Sequence, residues 1–229
     1  MTSFFQESKE LFETAVVQEK TLSIYQLIAD GGLGGQIIIA LLFVLLAVAL
    51  YIYFERFFAI KEASKEDENF MNTIKEHISN GKLEAANALC KSKNTPTARL
   101  ISKGISRIGK PLEDINTAIE TAGKLEIYQL EKNVSILATI AGAAPMIGFL
   151  GTVIGMIVAI HEIANAGGQI DIKLLSDGLY TAMTTTVAGL IVGIIAYVAY
   201  NHLVVRTNKV IYQMEAKSVE FLDLLNQPV

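Results

Sequence analysis

The sequence predicts an all-α, three-span integral membrane protein whose long helices extend into a cytoplasmic helical layer, with the N-terminus outside. Three observations carry this. Residues 31–54, 133–160 and 178–205 contain no Asp, Glu, Lys or Arg, and each exceeds the roughly 20 apolar residues that cross the hydrocarbon layer as a helix. The cations are unevenly placed: of the nineteen Lys and Arg, two precede the first span, thirteen lie in 55–132, one in 161–177 and three follow the third span. The segment between the first and second spans reads as helices with clear stops. A hydrophobic fraction of 52% and a mean hydropathy of +0.41 fit a membrane protein with a polar remainder.

Residues 1–30 form an outer, interfacial segment. Phe5, Phe12 and Val16 recur among Glu and Lys, which suggests an amphipathic helix over 3–19 lying at the membrane surface, and 23–29 reads similarly. Five acidic groups against two lysines in this segment reverse the charge of a signal peptide, so no cleavable leader is expected. The first span, 31–54, ends in Tyr51, Tyr53 and Phe57, rings that settle at an interface.

The cation-rich 55–132 segment stays cytoplasmic by the positive-inside rule. Asn80–Gly81 stops one helix, since glycine takes the left-handed cap at little cost. Thr95–Pro96 starts another, with an N-cap hydroxyl followed by proline in the first turn. Gly109-Lys110-Pro111 repeats that grammar, and a last helix begins near Leu112. With Pro145 the only proline from there to Ile160, one unbroken helix is expected to run through the second span, 133–160. At 1.5 Å per residue its 45–50 residues reach on the order of 70 Å. Residues 161–177 form a short periplasmic loop. The third span, 178–205, meets no breaker before Gln227, so the 206–229 tail should continue it as a cytoplasmic helix.

Polar chemistry inside the membrane rests on hydroxyls and backbone. Gly148, Gly151 and Gly155 share one side of the second span, and Gly189 and Gly193 make a small-xxx-small pair in the third, the pattern of helices that approach closely. Thr152 lies near the same thin face, four residues after Gly148. Thr181, Thr184, Thr185 and Thr186 cluster in the third span. Their hydroxyls either bond to carbonyls as packing glue or line a pathway in which oxygens replace part of an ion's hydration shell; spacing alone leaves both open.

Other functional classes find little support. His77, His161 and His202 have no partner at metal-ligand spacing and read as solvated interfacial groups, so no metal site is expected. Cys90, the sole cysteine, reads as a small buried hydrophobe rather than a reactive thiol. No nucleophile elbow, phosphate loop or carboxylate dyad stands in a credible context, so neither catalytic residues nor a cofactor are expected. The lysines of 55–132 alternate with acids and make no stripe for nucleic acid. A secondary transporter is disfavoured by the lack of an inverted repeat or broken helix pair.

The stretches PMIGFLGTVIGM (145–156) and GLYTAMTTTVAGL (178–190) resemble the second- and third-span motifs of the MotA/TolQ/ExbB proton channel family. Topology, the ERFF run after the first span and Leu89-Cys90 with Pro96-Thr97-Ala98-Arg99 extend the likeness over most of the chain. Three spans fit the ExbB and TolQ branch better than the four-span stator branch. The resemblance implies a bacterial inner-membrane homopentamer enclosing an ExbD-like single-span partner. Proton or sodium flow would then energise a TonB-like protein that drives outer-membrane transport. It places Thr152 and Thr186 at the pore beside the partner's aspartate, with Thr181 and Thr185 in the same lining. Thr181 stands where ExbB and TolQ proteins commonly carry glutamate, so the titrating role passes wholly to the partner. A TolQ-like or gliding-type motor subunit, or a non-conducting scaffold, is the alternative.

Overall fold

The computed structural model describes residues 32–65, 69–165 and 172–226; the amphipathic segments expected at 3–19 and 23–29 lie outside them. Every element is helical: α1 (Gly32–Ala63), α2 (Phe70–Ser79), α3 (Leu83–Lys93), α4 (Pro96–Ile105), α5 (Leu112–Glu131), α6 (Val134–Asn165) and α7 (Ile172–Asn226). Three helical stretches are long and apolar enough to cross a bilayer. The chain is a multi-pass membrane protein.

α6 and α7 lie against each other from Gly155 and Gly178 at one end to Pro145 and Gly193 further along, and α1 packs across both. Apart from Gln36, α1 is apolar on all sides until Glu55, so it has no polar stripe to turn toward water; Lys61 in its last turn complements the helix dipole.

The polar end is a layer of four shorter helices: α2, α4 and α5 pack on the extension of α7, and α3 packs on α2 and α4. Their boundaries follow local chemistry. α2 closes at Asn80, and Gly81 adopts φ +70°. Thr95 caps α4 by accepting from the Ala98 N–H at 3.3 Å, with Pro96 in the first turn. Gly109, at φ +95°, turns the chain into Pro111 and α5. Inside the layer Ile74, Ile101, Met214 and Phe221 are fully enclosed. Arg99 clamps the carboxylate of Glu126 through Nε at 2.7 Å and Nη2 at 2.5 Å, and its other nitrogen holds the Asn94 carbonyl at 2.7 Å. This fork joins α4, α5 and the end of α3, and the partner carboxylate holds the Arg99 proton more tightly than usual.

Cys90 is buried, and desolvation pushes its thiol up to about 11. Its thiolate fraction near pH 7.5 is therefore on the order of 10⁻⁴–10⁻³. Maleimide should label the native protein far more slowly than protein unfolded in SDS; equal rates would contradict the enclosed, protonated thiol.

One expectation fails. The helix that starts at Leu112 does not run unbroken into the second span: α5 ends at Glu131, Lys132 is extended at ψ 131°, and Asn133 sits in the left-handed region at φ +63°. Asparagine tolerates that region, and the Asn133 carbonyl accepts from the Ile136 N–H at 3.1 Å to restart the helix as α6. α7, by contrast, is continuous over 55 residues, as expected.

Candidate functional site

The seam between α6 and α7 is built on missing side chains. A Cβ at Gly148 would stand 2.7 Å from the Thr185 carbonyl oxygen and 3.2 Å from the Thr186 Cα. One at Gly189 would stand 2.6 Å from the Ala144 carbonyl oxygen. Gly151 faces the Thr185 side chain, Gly155 faces Ala182 and the Gly178 carbonyl, and Gly193 receives the Pro145 ring. All five glycines singled out in the sequence therefore lie in this contact. Backbones this close leave room only for short side chains between them.

Two hydroxyls occupy that room. Those of Thr152 and Thr186, one from each helix, are hydrogen-bonded to each other. Thr152 Oγ1 also lies 3.3 Å from the Ala182 carbonyl oxygen, and Thr186 Oγ1 lies 3.2 Å from that of Gly148. Each threonine thus reaches the carbonyl four residues before the other, in a pseudo-twofold arrangement. Both side chains are half-buried.

Counting protons defines the chemistry. Carbonyl oxygens only accept, and each hydroxyl has one proton to give. Three oxygen–oxygen links run from Ala182 through Thr152 and Thr186 to Gly148, but only two protons are present. One link is always without its hydrogen. The seam can accept one further proton-donating contact, or turn four oxygens toward a cation. Neither span carries Asp, Glu, Lys or Arg.

The other candidate lining residues sit differently. Thr185 is fully buried, pressed on Gly151, and its hydroxyl donates to the Ala182 carbonyl at 2.9 Å. Thr184 donates to the Tyr180 carbonyl at 2.9 Å. Thr181 is buried on the α1 side, where a Cβ on Gly35 would come within 2.7 Å of its methyl. Within one chain the structure brings Thr152 and Thr186 together, with Thr185 beside them, and turns Thr181 toward another helix. Sequence reasoning missed the carbonyls of Gly148 and Ala182. The i−4 spacing to Thr152 and Thr186 was the available signal, although it points within a helix and the bonds run across.

The histidine reading needs one correction. His202 is not a solvated interfacial group. It is half-buried, and both ring nitrogens are engaged: Arg206 Nε donates to Nε2 at 2.9 Å, and Nδ1 pairs with the Tyr53 hydroxyl at 2.8 Å. An accepting Nε2 leaves the ring proton on Nδ1, which then donates to Tyr53. Arg206 stacks over Phe57, 4.8 Å from its centroid. The cluster ties α1 to α7 at the polar end of the spans. His161 is exposed and accepts from the Asn165 amide at 3.1 Å. Among the described residues no three His, Cys, Asp or Glu groups converge on a metal site.

The chain is 37% identical over 93 residues to the Tol-Pal system protein TolQ of Haemophilus influenzae, covering 41% of this chain and 40% of that protein. It is 36% identical over 88 residues to the biopolymer transport protein ExbB of Aquifex aeolicus (38% and 59% covered). It is 42% identical over 74 residues to the ExbB of Helicobacter pylori (32% and 50% covered). The aligned stretches span about half the length of these relatives. The profile of the MotA/TolQ/ExbB proton channel family matches residues 92–216, more than half of the chain and inclusive of both glycine-lined spans; the chain belongs to that family.

Proposed function

We propose that this chain is the ring-forming subunit of an ion-driven motor of the ExbB kind in a bacterial inner membrane. Several copies, five by analogy with the family, enclose an ExbD-like single-span partner. The partner brings an acid to the Thr152–Thr186 seam, and the resulting movement energises a TonB-like protein for outer-membrane transport. One observation carries the reading: an intramembrane hydrogen-bond chain that is one proton short, in spans with no charged side chain of their own. A charge at mid-bilayer costs at least ~2.5–3.5 kcal/mol on insertion scales. A partner acid therefore meets the seam in its neutral, protonated form, and its O–H donates into the link that lacks a hydrogen.

We take the proton as the coupled ion, so full activity is expected in sodium-free medium at fixed membrane potential. Thr152→Val and Thr186→Val keep the side-chain volume and remove the hydroxyl. Each should lower partner-dependent energised uptake by about tenfold or more while the complex still assembles. If both variants retain full activity, the hydroxyls only pack helices and the scaffold reading takes over. If the purified chain conducts ions with no companion subunit, the partner-supplied acid is wrong. Which effector docks, of the TonB or TolA kind, is decided by isolating the native complex.

A further inference from the structure

A cavity of about 220 Å³ borders the break between α5 and α6, away from the hydroxyl seam. Five of its lining side chains carry oxygen. Glu131 ends α5, Ser135 lies in the first turn of α6, and Tyr200, Thr207 and Asn208 come from α7. Val134 and Val204 complete the lining. No cationic side chain joins them: Lys132 and Lys209 are neighbours in sequence but do not line the cavity.

These polar groups lack partners inside the chain. Thr207 is 3% exposed, the most enclosed of the lining residues, and its Oγ1 makes no hydrogen bond. A buried hydroxyl left unpaired is costly. A helical threonine ordinarily avoids that cost by bonding the carbonyl four residues back, as Thr117, Thr121 and Thr184 do. Thr207 does not. Among the described residues, the side chains of Glu131, Ser135, Tyr200 and Asn208 make no hydrogen bond or ion pair either.

Electrostatics select the sign of the ligand. α5 ends without a backbone cap, since among the described residues neither Lys132 nor Asn133 returns an N–H to its last turn. The negative end of the helix dipole therefore lies at Glu131, beside the only ionisable acid of the lining. Oxygen-only surroundings suit hard cations. A single carboxylate among neutral oxygens balances a single positive charge.

The geometry points to a site for a small monovalent cation, sodium or potassium, in this cavity. The Glu131 carboxylate supplies the charge, and the Ser135 and Thr207 hydroxyls and the Asn208 side-chain oxygen supply neutral ligands. Because the lining comes from α5, α6 and α7, an ion there fastens both sides of the break to the long helix. Its departure frees them.

The site is independent of the motor reading, and so is its test. Hydrogen exchange of the full chain in detergent is followed by mass spectrometry at fixed ionic strength. Potassium or sodium chloride is compared with N-methylglucamine chloride, whose bulky organic cation these oxygens cannot surround. At ten times its half-saturating concentration, the small cation should slow exchange across residues 130–137 about tenfold and leave α4 unchanged. In Glu131→Gln, at an exposed position that the fold does not depend on, the slowing should vanish. Ser135→Ala should require about two- to tenfold more cation. Equal exchange in all three salts overturns the site and leaves water alone in the cavity. Slowing that persists in Glu131→Gln also overturns it, as a general salt effect, and so does slowing by magnesium or calcium but by neither monovalent ion.

Discussion

Gly189→Val is expected to drive α6 and α7 apart and abolish energised transport. A Cβ at Gly189 meets the Ala144 carbonyl oxygen at 2.6 Å and the Gly148 Cα at 2.9 Å. Both are backbone atoms, so no rotamer change relieves the clash, and valine adds two methyls beyond it. Overpacking costs about 1–3 kcal/mol where side chains can adjust; against backbone the upper part of that range or more is expected. Separating the helices also opens the Thr152–Thr186 contact, so function should fall further than stability. Unfolding by SDS titration of detergent-solubilised protein reads the first effect, and partner-dependent uptake the second. Gly142→Ala is the control: nothing lies within 4 Å of its Cβ position, and alanine is the better helix former by up to ~1 kcal/mol. Wild-type unfolding of Gly189→Val would mean that the two spans do not meet at this position.

Phe221→Ala should unfold the polar layer while leaving the spans inserted. Phe221 is fully buried, and its ring edge fills the space beside Gly104, with a Cβ position there only 2.5 Å away and Ile119 adjacent. Truncating a buried phenylalanine costs about 3–5 kcal/mol through lost transfer energy and the cavity left behind. The loss is centred on the layer, where Phe221 meets Gly104 and Ile119, while lipid still holds the apolar spans. Limited proteolysis should therefore cut within α2 to α5 of the variant at protease levels that spare the wild type. Hydrogen exchange in α6 should stay unchanged. Equal protease resistance would show that α7 is not the keel on which this layer folds.

Several boundaries were legible because single residues enforce them. Gly81 and Gly109 take positive φ, and Thr95 supplies a cap that Pro96 reinforces. The three spans were legible from the absence of charge. The break at Lys132–Asn133 was not, since neither residue is glycine or proline and asparagine enters the left-handed region only when its surroundings favour it. The site was legible in composition but not in pairing. Thr152 and Thr186 stand out by type, yet their mutual bond spans 34 residues and depends on glycines that let two backbones approach. His202 shows the same limit: its partner Tyr53 lies 149 positions away, and no local pattern announces it.

The jointed α5–α6 pair and the seamless α7 have unlike mechanical properties. A hinge at Asn133 lets one strut bend, whereas α7 behaves as a stiff lever from the hydroxyl seam to the far end of the protein. About 35 residues separate Thr186 from Phe221, roughly 52 Å of helix. A tilt of about 5° at the seam therefore sweeps the far end through about 4–5 Å, close to one helical turn. A small adjustment at the seam would thereby be amplified into a displacement large enough to re-register packed side chains.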